Sequence, residues 1–351
     1  MKYTNNTIHR IFLTGPGRTN CNQQEQHTVS NDINIIQVFQ GLLTNEQYQC
    51  LPISKQKMML SNVDNTRRLM RDVGATFADI QLLDSNILFR LLNRVSSVIL
   101  LIDARPISFS ELAAIKNPDI LFRLLNTPSN VIQLIGNPQI SFSHLAGIEN
   151  PDILFHLLNM QSNVQDLIDH HSILFSDLTM IKNPEILFNL LNRAASVIKL
   201  INTHISFSAL SGIENPDILQ HLLNRPSDVI LLLNSSHISF ADLADLENPD
   251  ILHILLNMVS SVVQLIEGSH VSFSALVGTK DPKILFYLLG RVSIVVSLIN
   301  TRDIVFEKLS CLTFRQLDTV ILNVDSEESQ AILCHASPSQ SPSKSMGAMC
   351  D

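Results

Sequence analysis

The sequence predicts an all-α fold, an α-solenoid of about eight stacked three-helix repeats with degenerate caps, and leaves right- or left-handedness open. The main observation is a phenylalanine that recurs at intervals of 32 or 33 residues. The second is a set of helix-capping signals at fixed places within each interval. The third is composition: 45% of residues are hydrophobic but only 5% aromatic, so Leu, Ile and Val must form the core. The recurring phenylalanines are Phe77, Phe109, Phe142, Phe175, Phe207, Phe240, Phe273 and Phe306.

Each repeat is expected to begin with a short helix, which we name helix A. In the repeat of Phe109, Ser108 is placed to accept a hydrogen bond from the amide three residues later, and Glu111 there completes a capping box. The apolar spacing carries this helix to about Ile115. The phenylalanine column should form the spine of the core, because a repeat of this length buries its apolar face only against neighbouring repeats.

A second helix, helix B, is predicted to follow. Asn117 provides its N-cap, Pro118 takes the first helical position, and Asp119 suits the positive end of the helix dipole. Its buried stripe is Ile120, Leu121, Leu124 and Leu125. An asparagine such as Asn126 ends this stripe in most repeats, and Gly290 replaces it once. Since Asn and Gly both tolerate the left-handed conformation, this column predicts a left-handed C-cap.

Helix C is predicted to start at Ser129 or a neighbour, and a polar turn then returns the chain to the next phenylalanine. Its apolar residues are Val131, Ile132, Leu134 and Ile135. A second aromatic column lies inside helix B and consists of Phe89, Phe122, Phe155, Phe188 and Phe286. It becomes Gln220 and His253 in two repeats, so we expect it to lie nearer an edge than the first column.

Composition divides the chain into five segments. Residues 1–31, rich in Asn, Gln and Thr, and residues 336–351, a Ser/Pro tail, are expected to be disordered. Residues 32–76 should form an N-terminal helical cap with a degenerate repeat, and residues 77–323 the tandem repeats. Residues 324–335 are expected to be a degraded C-terminal cap, because a terminal repeat has solvent on one side.

The pattern predicts no catalytic residue, no cofactor and no metal ion. The five cysteines lack any C-x-x-C spacing, which disfavours both a disulfide framework and a zinc site and favours a reducing, cytoplasmic location. His204, His237 and His270 form a column at the turns between repeats, but residues one repeat apart lie too far from each other to share one zinc ion. We interpret this column as solvated turn residues or, as the alternative, a partner contact.

Charge and hydropathy restrict the partners. The formal net charge of −8 disfavours nucleic acid, and no apolar run is long enough for a membrane span. A monomer with a protein partner is expected. Arg94, Arg193, Arg225 and Arg291 share the position after the asparagine column. This arginine column complements the helix dipole or, alternatively, reads phosphates or acidic peptides.

The 33-residue spacing and the Ser-x-x-x-Leu-x-x-Ile pattern of helix A, as in Ser108–Ile115, resemble the transcription-activator-like effector repeats. A three-helix unit of this size is also similar to the mitochondrial termination-factor repeat. Both resemblances imply a helical repeat fold and nucleic-acid binding. In the first family a variable pair after helix A reads the base, whereas Asn-Pro occupies that place here, as in Asn117-Pro118 and Asn150-Pro151. A pair that does not vary cannot specify a sequence.

The Asn-, Ile-, Ser- and Leu-rich character, with degenerate end repeats and a Ser-rich tail, also resembles effectors that intracellular bacteria deliver by type IV secretion. The pair Glu327 and Glu328 and the polar C-terminal tail are compatible with such a secretion signal. This resemblance implies secretion into a host cell and action on a host protein.

The first functional hypothesis is a non-enzymatic scaffold that binds another protein through one face of the array, at positions that vary while the apolar frame is kept. In helix B these are Arg123, His156, Asn189, His221, Ile254 and Tyr287; in helix C they are Gln133, Asp166, Lys199, Leu231, Gln264 and Ser297. The second hypothesis is nucleic-acid binding. The third is an enzyme whose site lies in the first 76 residues. Ile11–Thr19 is similar to a strand followed by a phosphate loop, but Pro16 and Arg18 depart from the phosphate-loop pattern.

Overall fold

A computed structural model describes residues 34–104, 107–170, 173–235, 238–323 and 326–335, with the side chain of His170 left out. These residues are all-α, with 28 helices and no strand among them. The chain divides into two compact units, Met1–Pro184 and Glu185–Asp351, and each is described by itself. The segments expected to be disordered, 1–31 and 336–351, lie outside the described residues.

Unit 1 opens with four short helices: α1 (Ile35–Val38), α2 (Asn45–Gln49), α3 (Ile53–Ser61) and α4 (Val63–Arg71). Three repeats of helices A, B and C follow. The A helices are α5 (Phe77–Leu82), α8 (Phe109–Ala113) and α11 (Phe142–Ala146). The B helices are α6 (Ser85–Asn93), α9 (Pro118–Asn126) and α12 (Pro151–Asn159), and the C helices are α7 (Val95–Ala104), α10 (Pro128–Leu134) and α13 (Gln161–His170). A further A helix, α14 (Phe175–Thr179), completes the unit.

Unit 2 continues the same order, and its first helix, α15 (Pro184–Asn192), begins at the last residue of unit 1. Its A helices are α17 (Phe207–Ser211), α20 (Phe240–Ala244), α23 (Phe273–Val277) and α26 (Phe306–Ser310). The B helices after α15 are α18 (Pro216–Asn224), α21 (Pro249–Asn257) and α24 (Pro282–Leu289). The C helices are α16 (Ala194–Ile201), α19 (Pro226–Asn234), α22 (Val259–Ser269) and α25 (Val292–Arg302), followed by α27 (Phe314–Leu322) and α28 (Glu327–His335).

Within each unit, helices of the same class pack on one another. In unit 1, α6 packs on α9 and α9 on α12, while α7 packs on α10 and α10 on α13. In unit 2, α18, α21 and α24 form a row of B helices, and α16, α19, α22 and α25 form a row of C helices. Helices α3 and α4 pack on α6 and α7 in the same way. The sequential packing of a helical repeat, predicted from the 33-residue period, is therefore present in both units.

The core consists of the residues that the repeat pattern assigned to it. Phe109, Phe142, Phe175, Phe273 and Phe306 of the first aromatic column are buried, and its other members are half-buried. The apolar stripe of each B helix has almost no exposed surface; Leu121 and Leu124, for example, are 0% exposed. The interpretation of this column as a spine is confirmed.

The predicted N-caps are also present. The amide of Ser108 donates to Glu111 Oε2 over 2.8 Å, and the amide of Glu111 donates back to Ser108 Oγ over 3.3 Å. Asn117 Oδ1 accepts from the amide of Asp119 over 2.9 Å, with Pro118 at the first helical position. Helix A of this repeat ends at Ala113, two residues before the predicted end.

The prediction of a left-handed C-cap at the asparagine column is wrong. Asn126 is the last residue of α9, and Thr127 after it has φ −129° and ψ 55°. The matching residues, such as Met258 and Arg291, have similar angles. This conformation breaks the helix by an extended φ, which any L-residue adopts, so the position accepts Thr, Met or Arg. At Met258 the chain bends by 85° between α21 and α22.

Among the described residues of the repeats, those with positive φ lie instead at the end of helix C. His204 has φ 72°, His270 has φ 54° and Asp303 has φ 55°. Histidine and aspartate are enriched at such positions among residues other than glycine. The backbone conformation thus gives the histidine column a structural role at the turn, and both histidines are exposed there. His237 lies outside the described residues.

Removal of one helix-A cap should have a measurable, pH-dependent cost. Ser239 Oγ accepts from the amide of Asp242 over 3.2 Å and donates to its carboxylate over 2.7 Å, and these hydrogen bonds lower the pKa of Asp242. We expect Ser239→Ala to lower the free energy of unfolding by about 1 kcal/mol at neutral pH. A group with a lowered pKa stabilises the fold above its ordinary pKa and loses that contribution as the pH falls, so the cost should shrink in acid.

Urea unfolding at neutral pH and at a pH below the ordinary pKa of aspartate measures this difference. Ser260→Ala, an exposed serine of α22, is the matched control and should leave stability nearly unchanged at both pH values. An equal cost of Ser239→Ala at both pH values would contradict the role of the Asp242 carboxylate.

Candidate functional site

The phenylalanines of the second aromatic column lie at the surface of the B helices in each unit, and we name them the aromatic ridge of that unit. Phe89 is 45% exposed, Phe155 40%, Phe188 37% and Phe286 56%, while Phe122 is half-buried. The prediction that this column lies nearer an edge than the spine is confirmed. Side chains with this much exposed aromatic surface contribute less to the core than the spine does, so their recurrence at one position requires a further explanation.

In unit 1 the ridge is bordered by arginine side chains that reach from one repeat to the next. The guanidinium of Arg90 lies 4.7 Å from the ring centre of Phe122 and pairs with Asp119 over 3.5 Å. Arg123 repeats this arrangement, 4.5 Å from the ring centre of Phe155 and 3.3 Å from Asp152. Each arginine is therefore neutralised by a carboxylate of the following repeat and stacked on its phenylalanine.

In two repeats of unit 2 the same position carries an aromatic side chain instead, His221 or Tyr287. The rings of His221 and His253 are 5.0 Å apart, and those of Tyr287 and Phe314 are 5.5 Å apart in an edge-on arrangement. Burial lowers the pKa of His221, and the neighbouring His253 lowers it further, against the opposite effect of Asp217 and Asp250. An uncharged imidazole at this place keeps the ridge suited to apolar contacts.

The predicted site positions of helix B lie along the ridge, and four of the six contact the next repeat. Arg123 and His221 contact the next repeat as described, and Tyr287 donates a hydrogen bond to Asp318. Asn189 is only 6% exposed and its Nδ2 donates to the carbonyl of Pro216 over 3.2 Å, so it offers little surface to a partner. Ile254 is half-buried.

His156, the remaining predicted site position of helix B, lies next to the ridge in unit 1. Its ring is 5.6 Å from that of Phe155, edge-on. Burial lowers the pKa of His156; the carboxylate of Asp152 raises it and the guanidinium of Arg123 lowers it. Like His221, this imidazole therefore favours its uncharged form.

The predicted positions of helix C all lie on the exposed side of that helix. Gln133, Asp166, Lys199, Leu231, Gln264 and Ser297 are exposed. Lys199 donates to Ser227 Oγ over 2.7 Å, and Gln133 Oε1 accepts from Gln161 Nε2 over 3.4 Å. Lys199 and Gln133 therefore make polar contacts between adjacent C helices, and all six positions lie on a different class of helix from the ridge.

Members of the arginine column have different partners. Arg193 Nε donates to Asn224 Oδ1 over 2.5 Å, and Arg225 pairs with Asp228 over 3.2 Å. The guanidinium of Arg291 lies 3.8 Å from the ring centre of Tyr287. The structure therefore assigns internal contacts to three of these four arginines.

Two open grooves lie in unit 2. The larger, about 860 Å³, runs between the A helices α17 and α20 and is lined mainly by small and acidic residues such as Ala209, Glu214 and Glu247. The other, about 680 Å³, lies on the ridge between α21, α24 and α27. Its walls include Phe286, Tyr287 and Phe314, so it combines concave shape with exposed aromatic surface. Such a combination is typical of an interaction site.

Across the described ranges, no group of three or more His, Cys, Asp or Glu residues is arranged to hold a metal ion. No single helix of the described chain has the length and apolarity of a membrane span. Two sharply bent helix pairs, α21 with α22 and α24 with α25, meet that criterion by length and composition only when each pair is counted together.

Comparisons with protein-family models, with curated proteins and with solved structures give no match. The resemblances to the two nucleic-acid-binding repeat families and to secreted effectors therefore rest on the residues quoted for them.

Sequence reasoning identified the ridge phenylalanines as a column but did not treat them as a binding surface. The signal was present in helix B: at 100° per residue, Phe122 lies about 160° from Ile120 and Leu124 but about 60° from Leu125, which places it at the margin of the buried stripe. An aromatic residue repeated at the margin of the stripe is the pattern that distinguishes a ridge from a spine.

Proposed function

We propose that this chain is a non-enzymatic α-solenoid scaffold of about eight stacked repeats that binds another protein through the aromatic ridge of its B helices. The observation that supports this most is the exposure of Phe89, Phe155 and Phe286 at one repeated position. Aromatic and arginine side chains dominate the binding energy of protein interfaces. As part of this proposal, the chain is cytoplasmic, and as a secreted effector it acts on a protein of the host cell.

Nucleic-acid binding is the alternative, since bases also stack on aromatic rings. The ion pairs of the ridge favour a protein partner, because Asp119 and Asp152 already neutralise the arginines that border it in unit 1. The net charge of −8 opposes attraction of a phosphate backbone over the whole chain.

The test compares proteins captured from cell extract by three forms of the full chain. The ridge variant carries Phe89→Ser, Phe155→Ser and Phe286→Ser, and the control variant carries Leu174→Ser and Met180→Ser, which are 57% and 76% exposed outside the B helices. A partner should bind the control as it binds wild type and lose about tenfold or more in affinity for the ridge variant. Equal capture by all three forms would refute the ridge as the binding surface.

A second arm distinguishes the alternative. Wild type is passed over heparin and over mixed-sequence single-stranded RNA at low salt, where a nucleic-acid-binding protein is retained and released steeply as salt rises. Retention that depends on the ridge phenylalanines would favour nucleic-acid binding over the proposal.

A further inference from the structure

The ridge groove of unit 2, between α21, α24 and α27, differs from the rest of the ridge in its charges. Its apolar surface comes from Phe286, which is 56% exposed, and Phe314, which is 40% exposed. Two cations, Lys283 and Arg291, and two carboxylates, Asp250 and Asp281, line the same space of about 680 Å³. The inference below rests on the proposed function and concerns the chemistry of the partner at this groove.

The two carboxylates have roles within the fold. Asp281 Oδ1 accepts from the amide of Lys283 over 2.9 Å and so caps α24. Asp250 lies in the first turn of α21, where the helix dipole stabilises a negative charge. Among the described residues, Lys283 and Arg291 form no ion pair with the carboxylates that line the groove.

Lys283 reverses the charge that the repeat normally carries at its position. The second residue of helix B is acidic in five other repeats, namely Asp119, Asp152, Glu185, Asp217 and Asp250. A lysine there opposes the positive end of the helix dipole, so folding alone favours the acid. The reversal occurs in the repeat that also contributes Phe286 and Tyr287 to the groove.

Arg291 is likewise unlike the other arginines of its column. Arg225 pairs with Asp228 three residues later, but the residue three after Arg291 is Ile294. The guanidinium of Arg291 is instead stacked on Tyr287, whose hydroxyl donates to Asp318. This stacking orients the planar guanidinium while leaving its N–H groups open to a carboxylate, which it binds with two parallel hydrogen bonds.

We infer that this groove binds an acidic, apolar peptide segment of the partner protein. Leu, Ile or Phe side chains of the segment bury Phe286 and Phe314, and its Asp or Glu side chains pair with Arg291 and Lys283. The two kinds of contact lie side by side in one groove, so specificity requires both in the same short segment.

The experiment uses a displayed library of random linear peptides, selected on the full chain. Selection on wild type should enrich peptides that combine Asp or Glu with Leu, Ile or Phe. The same selection on Lys283→Glu with Arg291→Glu should lose the acidic enrichment, and Phe286→Ser with Phe314→Ser should lose the apolar one. Lys116→Glu with Lys182→Glu makes the same change in net charge on exposed residues outside the groove and should select the wild-type peptides.

The most enriched peptide is then synthesised, and its affinity is measured by fluorescence anisotropy. We expect about tenfold weaker binding to the charge-reversed groove than to the control variant. Enrichment of basic or neutral peptides, no enrichment, or the same peptides on the charge-reversed groove would overturn the inference. Displacement of the peptide by single-stranded RNA at equal concentration would assign the cations to phosphate instead.

Lys283→Glu alone provides a second readout that a purely structural role would not reproduce. It restores the sign carried by the other repeats, so Tm should rise by about 2 °C while peptide affinity falls. A fall in Tm, or unchanged affinity, would contradict the inference. If the groove variants bind like wild type but Phe89→Ser with Phe155→Ser still loses the partner, the proposed function stands without this inference.

Discussion

Phe142→Ala should lower the free energy of unfolding by about 3–5 kcal/mol, while Phe155→Ala in the same repeat should cost about 1 kcal/mol. The two side chains have the same chemistry and differ in burial: Phe142 is 6% exposed and Phe155 is 40% exposed. Removal of Phe142 leaves a cavity in the core. Removal of Phe155 takes away a partly exposed ring and the stacking of Arg123 on it.

Urea unfolding followed by circular dichroism measures both variants, and the difference between them is the informative quantity. The stability of a repeat protein depends on the interfaces between neighbouring repeats. Loss of a spine residue should therefore also weaken the coupling of its repeat to the next one and broaden the unfolding transition. Equal costs for the two phenylalanines would show that the distinction between spine and ridge has no energetic basis.

Much of the fold could be predicted because each signal for a helix or a cap occurs again in the other repeats. A phenylalanine that returns every 33 residues, a serine before it and Asn-Pro after it are each weak signals alone. Their agreement across successive repeats determined helix order and the N-caps, which depend on side chains within three residues of each other. The structure matches these local signals closely.

The C-cap of helix B could not be predicted from the asparagine column, because the relevant conformation belongs to the next residue. Thr127 and its equivalents break the helix with an ordinary negative φ, and their side chains vary. Residue type is informative about backbone conformation mainly where φ is positive, as at His204 and His270. A sharp bend at a residue with negative φ restricts the residue type only weakly, so the sequence does not indicate where it occurs.

The candidate site was predicted only in part, for a different reason. Variation among repeats identified Arg123, His221 and Tyr287 as unconstrained by the core, but those side chains pair with the next repeat. The residue at this position changes together with its partners in the next repeat: Arg123 contacts a Phe and an Asp, His221 contacts a His, and Tyr287 contacts a Phe and an Asp. Contacts between residues about 30 positions apart depend on how repeats stack, which single-repeat patterns do not contain.

Lys55→Met should lower the free energy of unfolding by about 2 kcal/mol, a large effect for loss of one lysine charge. Lys55 is 5% exposed, and its ammonium donates to the carbonyls of Ile80 over 3.0 Å and Gln81 over 2.8 Å. Both carbonyls belong to the last turn of α5, where no backbone amide of the helix can reach them. Methionine keeps the aliphatic stem but leaves both carbonyls without this donor.

The pH dependence of this cost distinguishes hydrogen bonding from simple charge attraction. Burial lowers the pKa of Lys55, and Asp84 opposes this shift. The unfolded chain then holds the lysine proton more tightly than the folded chain, so this group makes stability rise with pH just below the ordinary pKa of lysine. A neutral amine still donates hydrogen bonds, so the advantage of wild type over Lys55→Met should persist or grow in that range. Lys57→Met, an exposed lysine of the same helix, is the matched control, with an expected change within about 0.5 kcal/mol. An advantage that disappears at alkaline pH would show that the ammonium acts by its charge on the end of α5 and not as a hydrogen-bond donor.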